Sequence, residues 1–267
     1  LLGVEKDRQG KTSGCLVKND NEQFTIGTER NLQDEYWNFN LSDQDAECLE
    51  KIAGASKAFY LKGQSDFALG IVTGANKEYI SNEKNDNNEM VLKGSHIHKY
   101  SFEQSGNYIR FEPENFQQVA PTEMYRAPEK LLYRFICATP VFAYDDHQTL
   151  SLNSANILIP HVDGISTKYI LAVLNSRTVS FWCRKKYNSV KLLKSHIEGI
   201  PIPTPTDRQQ QEIVNLVNSL IYTSFEYRAE RYKLFNCLEE SVMSLYQLND
   251  IERKIVNEDS AQYDTFL

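Results

Sequence analysis

The sequence predicts an α+β fold, in which a curved, mainly antiparallel sheet region with flanking helices is followed by a helical C-terminal tail. Short apolar runs, broken by glycines and polar loops, occupy residues 67–159 at irregular spacing. This irregularity is unlike a βαβ array or a solenoid. From residue 207 apolar side chains recur every three or four positions up to about Leu248, which is typical of helices. These patterns divide the chain into residues 1–60, 61–206 and 207–267.

The first segment, residues 1–60, is predicted to be a helical connection from a missing upstream domain. Ser42 and Asp45 have the spacing of a capping box at a helix start, and Leu49 and Ile52 give that helix an apolar stripe. The opening letters LLGV read as an internal stretch of a longer protein. We therefore expect this segment to be peripheral.

The middle segment is predicted to hold most of the strands. Residues 67–74 form an apolar run broken by two glycines, a turn leads through Lys77, and residues 81–89 form a polar loop. Pro128 suits the first turn of a helix that would continue through residues 131–136. Further strands are predicted at residues 108–111, 140–144 and 157–159.

The remaining elements are predicted to be mainly helical. Residues 166–183 read as one helix, which Ser166 can cap. Three prolines make residues 197–205 extended, because a residue before proline avoids the helical conformation. Thr206 with Gln209 then forms a capping box. One or two long helices to about residue 248 and a short one at 251–256 complete the chain.

The composition is that of a folded protein in a reducing compartment. The chain has 267 residues, of which 41% are apolar and 24% charged, enough to bury a core without disulfides or metals. No apolar run approaches the length of a membrane-spanning helix. Five cysteines lie far apart without a CxxC pair, which favours reduced, buried thiols over a disulfide framework. We therefore expect a cytoplasmic protein.

The net charge of −7 is unevenly distributed along the chain. Residues 61–206 carry 16 basic and 14 acidic groups, whereas both flanking segments are acidic. Residues 165–200 hold seven basic groups against Glu198 alone. A polyanion responds to such a local field rather than to the total charge. The alternative is an ordinary solvated helix face.

Motifs for catalysis are absent from the sequence. There is no GxGxxG, P-loop, GxSxG or HExxH pattern, and no ligand set for a structural zinc. His96 and His98 lack a third metal ligand nearby, and Asp145-Asp146 is not followed by the Asp/Glu-x-Lys of a nuclease. We therefore predict no catalytic residues, no metal and no cofactor in this chain. A nuclease that uses Asp145 and Asp146 is the less favoured alternative.

Five segments, in order, resemble one family. They are GIVTGANK at residues 70–77, LKGSHIHKY at 92–100, residues 152–176 with YILAVLNS at their end, IEGIPIP at 197–203 with QQQEI at 209–213, and VMSLYQL at 242–248. Together they are similar to the C-terminal target-recognition domain of adenine-specific DNA methyltransferases, that is, to the Taq-like specificity domain and the fused type IIG restriction-modification enzymes. The fourth segment also occurs in type I specificity subunits. The resemblance covers roughly residues 60–256, and His96 stands where the family usually has Asp.

The resemblance implies a DNA sequence-recognition module that positions duplex DNA for a catalytic domain. The Asn-Pro-Pro-Tyr or Asp-Pro-Pro-Tyr motif with which the family holds the flipped adenine is absent. S-adenosylmethionine is therefore expected in a catalytic domain outside this chain, and the expected partners are double-stranded DNA and that methyltransferase domain, in the same or a separate chain. The alternative is a specificity subunit or interaction module whose C-terminal helices dock a separate methyltransferase chain.

The resemblance and the residue types predict two sets of contacts with DNA. Phosphate contacts are expected from four lysines in the most basic stretch: Lys185, Lys186, Lys191 and Lys194. Base reading is expected from the loop with Lys93, His96 and His98, from the strip Asp145, Asp146, His147, Gln148 and Thr149, and next from Asn76, Lys77 and Asn188. Glutamine can bind adenine bidentately and aspartate can accept from the cytosine amino group. The alternatives are a solvated surface for the lysines and a solvated turn for the strip.

Overall fold

The computed structural model describes residues 2–6, 12–18, 23–27, 41–55, 57–187, 189–261 and 263. The chain divides into two compact units, Leu1–Gly54 and Ala55–Leu267.

The first unit contains an antiparallel sheet as well as the predicted helix. Its strands are β1 (Leu2–Lys6), β2 (Thr12–Lys18) and β3 (Gln23–Gly27), in the order β1-β2-β3, and its helix is α1 (Asp43–Ala53). The capping box of Ser42 and Asp45 is confirmed. The expectation that this segment is helical throughout is wrong. The alternation around the buried Ile26 in β3 is the period-two pattern of a half-buried strand.

The second unit carries the other elements. The strands are β4 (Ala58–Phe59), β5 (Ser65–Ala68), β6 (Ile80–Ser81), β7 (Glu89–Leu92), β8 (Tyr108–Ile109), β9 (Lys130–Arg134), β10 (Phe142–Asp145), β11 (Leu150–Ser151), β12 (Ala155–Pro160) and β13 (Ile202–Pro203). The helices are α2 (Asn76–Tyr79), α3 (Thr122–Tyr125), α4 (Thr167–Asn175), α5 (Arg177–Tyr187), α6 (Lys194–Glu198), α7 (Asp207–Tyr222), α8 (Arg228–Leu245) and α9 (Asp250–Ala261). The α+β class and the helical C-terminus are as predicted.

Two sheets form the centre of this unit. The first has the order β10-β9-β12-β5 and is antiparallel throughout. The second has the order β11-β7-β8-β6, in which β11 and β7 are parallel and the other pairs antiparallel. A single hydrophobic cluster takes Leu132 and Ile157 from the first sheet and Val91, Ile109 and Leu150 from the second. Burying each such side chain stabilises the fold by about 1.5–3 kcal/mol.

The predicted helix at residues 131–136 is instead strand β9. Lys130, Leu131, Leu132 and Tyr133 are all buried, so this strand is covered on both faces. A strand buried on both faces shows no alternation, and its apolar run cannot be distinguished from a buried helix by periodicity. Pro128 therefore precedes a strand and not a helix.

The predicted helix over residues 166–183 is divided at Ser176. Ser166 caps α4 as expected, but Ser176 has an extended backbone with ψ near 157°. The Ser176 hydroxyl accepts a hydrogen bond from the amide of Val179 and so caps α5. The expected extended stretch at residues 197–205 begins later, because Ile197 and Glu198 lie in α6.

The C-terminal helices follow the prediction. Thr206 and Gln209 form the capping box of α7, and α7 packs against α8. The buried Arg231 of α8 donates to the carbonyl groups of Leu220 and Thr223, which satisfies the C-terminal end of α7. Among the described helices, none is long and apolar enough to span a membrane.

The cysteines with described side chains carry free thiols. Cys48 and Cys183 are buried, Cys137 is half-buried and Cys237 is exposed. Burial raises the pKa of Cys137 to about 11 and also raises the pKa of Cys183, so both remain protonated thiols at neutral pH. The expected buried thiols are thus found at two positions.

Two glycines of the sequence motifs allow backbone segments to touch. A Cβ atom on Gly70 would overlap the carbonyl oxygen of Leu152, and one on Gly94 would lie 2.5 Å from that of Ser154. Only glycine permits such an approach. The motifs at residues 70–77 and 92–100 therefore both pack on the turn between β11 and β12.

Candidate nucleic-acid interface

The connection between β10 and β11 presents three consecutive polar side chains to solvent. These are Asp146, His147 and Gln148, called here the tip loop, and all three are exposed. Asp146 and His147 contact each other at 2.6 Å, between Oδ1 and Nδ1. The Gln148 side chain makes no hydrogen bond to any described residue. The tip loop therefore offers both donors and acceptors to a ligand.

Asp145 organises the tip loop from beneath. It ends β10, is fully buried, and accepts hydrogen bonds from the amides of His147 and Thr149 and from the Thr149 hydroxyl at 2.9–3.0 Å. A carboxylate that accepts from the backbone two and four residues ahead closes a tight turn. Asp145 and Thr149 are both buried, so we correct their assignment as base readers: they hold the turn and cannot reach a base.

Lys130 neutralises the buried charge of Asp145. Its Nζ lies 2.5 Å from Asp145 Oδ2 and donates to the carbonyl of Tyr125 at 2.8 Å, and neither charged side chain is exposed. Burial lowers the pKa of Lys130, while the Asp145 carboxylate opposes that shift. Because β9 and β10 are antiparallel neighbours, their register places Lys130 directly opposite Asp145.

Arg126 holds the other end of the tip loop. Its guanidinium makes a bidentate pair with Glu89, at 2.7 and 2.5 Å, and donates to the carbonyl of Gln148 at 3.2 Å. It also lies 5.2 Å from the centre of the Phe111 ring. The hydrogen bonds to Glu89 raise the pKa of Arg126 further. The planar guanidinium fork thus joins the start of β7 to the tip loop.

The sheet register gathers further polar residues at the same end of the second sheet. Ile80 of β6 and Glu89 of β7 both lie opposite Ile109 of β8, so β6 and β7 begin at the same end. Helix α2, with the exposed Asn76 and Lys77, immediately precedes β6. The structure therefore brings α2 and the tip loop to one end of this sheet, called here the tip end.

The loop with Lys93, His96 and His98 lies at the opposite end, called here the far end. It follows β7, and Arg134, the last residue of β9, donates its Nε–H to the carbonyl of Ile97. Lys191 is also at the far end, because it pairs with Ile136 just beyond β9. At about 3.3 Å per residue, β9 separates the two ends by roughly 15 Å.

Side chains of the loop at the far end already have partners. Lys93 Nζ donates to Asn107 Oδ1 at 2.9 Å, and His98 Nε2 lies 3.6 Å from Glu103 Oε1. His96 Nδ1 accepts from the backbone amide of Lys93 at 3.0 Å, and burial lowers the pKa of its imidazole. An aspartate at position 96 could accept a hydrogen bond from the same amide.

The four predicted phosphate-binding lysines differ in their surroundings. Lys185 is 15% exposed and lies 3.7 Å from Asp259 of α9, which also pairs with Arg184. Lys186 is exposed above the Trp182 ring, and partial burial lowers its pKa. Lys191 is exposed, and Lys194, 58% exposed, lies 3.7 Å from Glu198. Asn188 lies outside the described residues.

Sequence reasoning missed the residues that hold the tip loop, namely Glu89, Arg126 and Lys130. The available signal was weak: Lys130 comes just before one apolar run and Asp145 just after another, and the two runs pair as neighbouring strands. The described residues include no group of histidine, cysteine, aspartate or glutamate side chains suited to a metal ion.

Three solved structures are similar to parts of this chain. The first is the type IIL restriction-modification enzyme MmeI in complex with DNA, at 12% identity and a TM-score of 0.47, over 76% of this chain and 36% of that chain. The second is a type I restriction-modification assembly, at 15% identity and a TM-score of 0.43, over 84% of this chain and 53% of that chain. The third is the HsdS subunit from Thermoanaerobacter tengcongensis, at 15% identity and a TM-score of 0.43, over 84% of this chain and 52% of that chain. The chain spans between about a third and a half of the length of these proteins. No curated protein matches it in sequence.

The family model described as the TaqI-like C-terminal specificity domain matches residues 89–202. This range begins at the Arg126 partner Glu89, includes the tip loop and the far end, and finishes at the start of β13. Residues 89–202 of this chain are therefore similar to a TaqI-like C-terminal specificity domain, as the sequence motifs indicated.

Proposed function

We propose that this chain recognises a DNA sequence for a restriction-modification enzyme or adenine-specific DNA methyltransferase, and positions the duplex for a separate catalytic domain. The observation that carries the proposal is the tip loop. Within the matched specificity domain, it presents Asp146, His147 and Gln148 to solvent on a buried support. Such a surface suits a reader of bases, which needs donors and acceptors at fixed positions rather than acid-base chemistry.

The chemistry of the tip end suits the major groove. The Gln148 amide can pair bidentately with adenine, and Asp146 can accept from the cytosine amino group. Asn76 and Lys77 at the same end can extend the readout, since asparagine also suits adenine and lysine suits guanine. Lys93, His96 and His98 remain candidates for a second contact about one strand length away.

Phosphate binding is assigned to the exposed lysines beyond β9. Lys186, Lys191 and Lys194 are exposed, so each can release a counterion when it neutralises a phosphate. Lys185 is retained as the weakest member, because Asp259 already balances part of its charge. Phosphate contacts would fix the orientation of the duplex while the tip loop reads its sequence.

We assign the reaction itself to a catalytic domain outside these residues. The sequence has no glycine-rich cofactor loop and no Asn-Pro-Pro-Tyr, so S-adenosylmethionine and the flipped adenine would be bound by that domain. The chain is thus proposed to be non-catalytic and, from its cysteine usage, to work in the cytoplasm.

Selection from a random duplex library tests the proposal. The 267-residue chain is expected to enrich a defined sequence over several rounds, and the enriched duplex should bind at least tenfold more tightly than a scrambled one. Uniform recovery of all sequences, with affinity that depends only on salt, would contradict the proposal.

A second candidate is a specificity subunit that docks a separate methyltransferase chain through its C-terminal helices. Four exposed aromatic side chains around the connection from α7 to α8 favour it: Tyr222, Phe225, Tyr227 and Tyr232. An exposed aromatic group of this kind is typical of protein interfaces. Stable co-elution with a purified methyltransferase chain, lost on changing Tyr222 and Tyr227 to serine, would support this candidate.

A further inference from the structure

The backbone of Gln148 adopts a conformation that glutamine rarely takes. Its φ is +57°, in the left-handed region, although it lies at an exposed position. A non-glycine residue stays in this region only when its surroundings hold it there. The structure shows what holds it: Arg126 binds the Gln148 carbonyl, and Asp145 binds the amides on either side, at His147 and Thr149.

These two anchors are themselves fixed by partners from separate segments. Glu89 at the start of β7 engages both terminal nitrogens of Arg126, at 2.7 and 2.5 Å. Lys130 at the start of β9 pairs with Asp145 at 2.5 Å, and its Nζ also binds the carbonyl of Tyr125, the residue next to Arg126. The anchors therefore form one connected polar network beneath the tip loop.

We infer that Arg126, Glu89, Lys130 and Asp145 are positioning residues that set which base pairs the tip loop accepts, without contacting the bases themselves. The inference rests on the proposed function. Preorganised loops discriminate well because little conformational freedom is lost on binding and because a wrong base meets groups that cannot move to accommodate it. The network supplies this rigidity at a position where glutamine alone would relax.

The test compares sequence choice and salt dependence in four variants of the whole chain. Arg126→Ala removes the clamp on the Gln148 carbonyl, Arg126→Lys keeps the charge but loses the fork, and Glu89→Gln keeps an acceptor but loses the charge. Arg208→Ala is the matched control, because Arg208 makes an exposed pair with Glu212 on α7. Each variant is assayed against the selected duplex and its single-base-pair substitutions over a range of salt concentrations.

We expect Arg126→Ala to reduce discrimination about tenfold or more at one or two base pairs, while the salt slope stays the same. Arg126→Lys should not restore discrimination, and Glu89→Gln should reduce it less than Arg126→Ala does. The control variant Arg208→Ala should have the same discrimination and the same salt slope as the parent chain. A salt slope lowered by about 1 with sequence choice unchanged would overturn the inference, because it would make Arg126 a phosphate contact.

The two ideas fail in different ways. If the parent chain selects a sequence and neither Arg126→Ala nor Glu89→Gln alters that choice, the inference is wrong and the proposed function stands. If the parent chain selects no sequence, both are wrong. Should Arg126→Ala prevent folding, as shown by its thermal unfolding, Glu89→Gln decides the question, since Glu89 is 41% exposed and tolerates an isosteric change.

Discussion

The tip end and the far end of the sheets carry similar polar residues in different states. At the far end, Lys93, His96 and His98 are engaged by Asn107, a backbone amide and Glu103. At the tip end, Arg126 and Asp145 hold a loop whose side chains are exposed, although Asp146 and His147 also contact each other. A polar run in the sequence therefore marks a surface, whereas the hydrogen bonds decide which of its members can bind a ligand.

The largest expected effect is a loss of stability when the buried pair of Lys130 and Asp145 beneath the tip loop is broken. Lys130→Met would leave the Asp145 carboxylate buried without its counter-charge, which we expect to lower the free energy of unfolding by about 3–5 kcal/mol. Urea denaturation measures this difference. Lys77→Met, at an exposed position, should change stability by less than about 0.5 kcal/mol. If Lys130→Met and Lys77→Met change the free energy of unfolding equally little, the pair of Lys130 with Asp145 is not needed for stability.

The next effect compares the two ends as readers. Gln148→Ala should cost about 1–3 kcal/mol for the preferred duplex and relax choice at one base pair. His98→Ala should have a smaller effect on sequence choice, since its ring already contacts Phe225 and its Nε2 faces Glu103. Competition binding with single-substitution duplexes gives both values. A greater loss of discrimination in His98→Ala would place the principal reader at the far end.

A smaller effect, on the salt dependence of duplex binding, should distinguish Lys191 from Lys185. Lys191→Ala is expected to lower the salt slope of duplex binding by about 1, with all sequences weakened alike. Lys185→Ala should lower it less, because Asp259 lies 3.7 Å from its Nζ. Binding titrations between 50 and 200 mM salt, roughly the range over which phosphate contacts are resolved, distinguish them. If both variants and the parent chain have the same salt slope, neither Lys185 nor Lys191 contacts a DNA phosphate.

The smallest expected effect is a pH dependence of the free energy of unfolding that arises from His96 at the far end. Burial lowers the pKa of His96 below its ordinary value of about 6.5, so the unfolded chain binds more protons in that range. The free energy of unfolding should therefore rise with pH through the lowered His96 pKa up to about 6.5 and fall again on acidification. His96→Asp, which keeps an acceptor for the Lys93 amide, should flatten that rise in urea denaturation between about pH 5 and pH 7. A rise unchanged in this variant would assign it to other groups.

Local signals in the sequence were the ones that the structure confirmed. The capping boxes at Ser42 and Thr206 depend on residues three positions apart, and both are present. Strand β9 was mistaken for a helix because its two-sided burial depends on neighbours that are distant in sequence. The sheet of β1 to β3 was missed for the related reason that short strands acquire stability only by pairing.

The candidate site shows the same division. The strip from Asp145 to Thr149 was recognised as a polar interruption, but its sequence does not reveal that the first and last members turn inward. That outcome follows from the pairing of β9 with β10, which sets Lys130 opposite Asp145 across a separation that no local pattern spans. Arg126 and Glu89, 37 positions apart, could not be connected by spacing at all.

The close approach of Gly70 and Gly94 to the turn at residues 152–155 has a consequence for the comparison of chains that carry the same glycine motifs. Gly70 and Gly94, two of the residues by which this sequence resembles the Taq-like specificity domain, are buried and pack against this turn. Under the proposed function, two chains that share these glycines would share this backbone packing and could still select different DNA sequences. The proposed DNA preference is then expected to depend on positions outside these two glycines, with the tip loop as the first place to look for it.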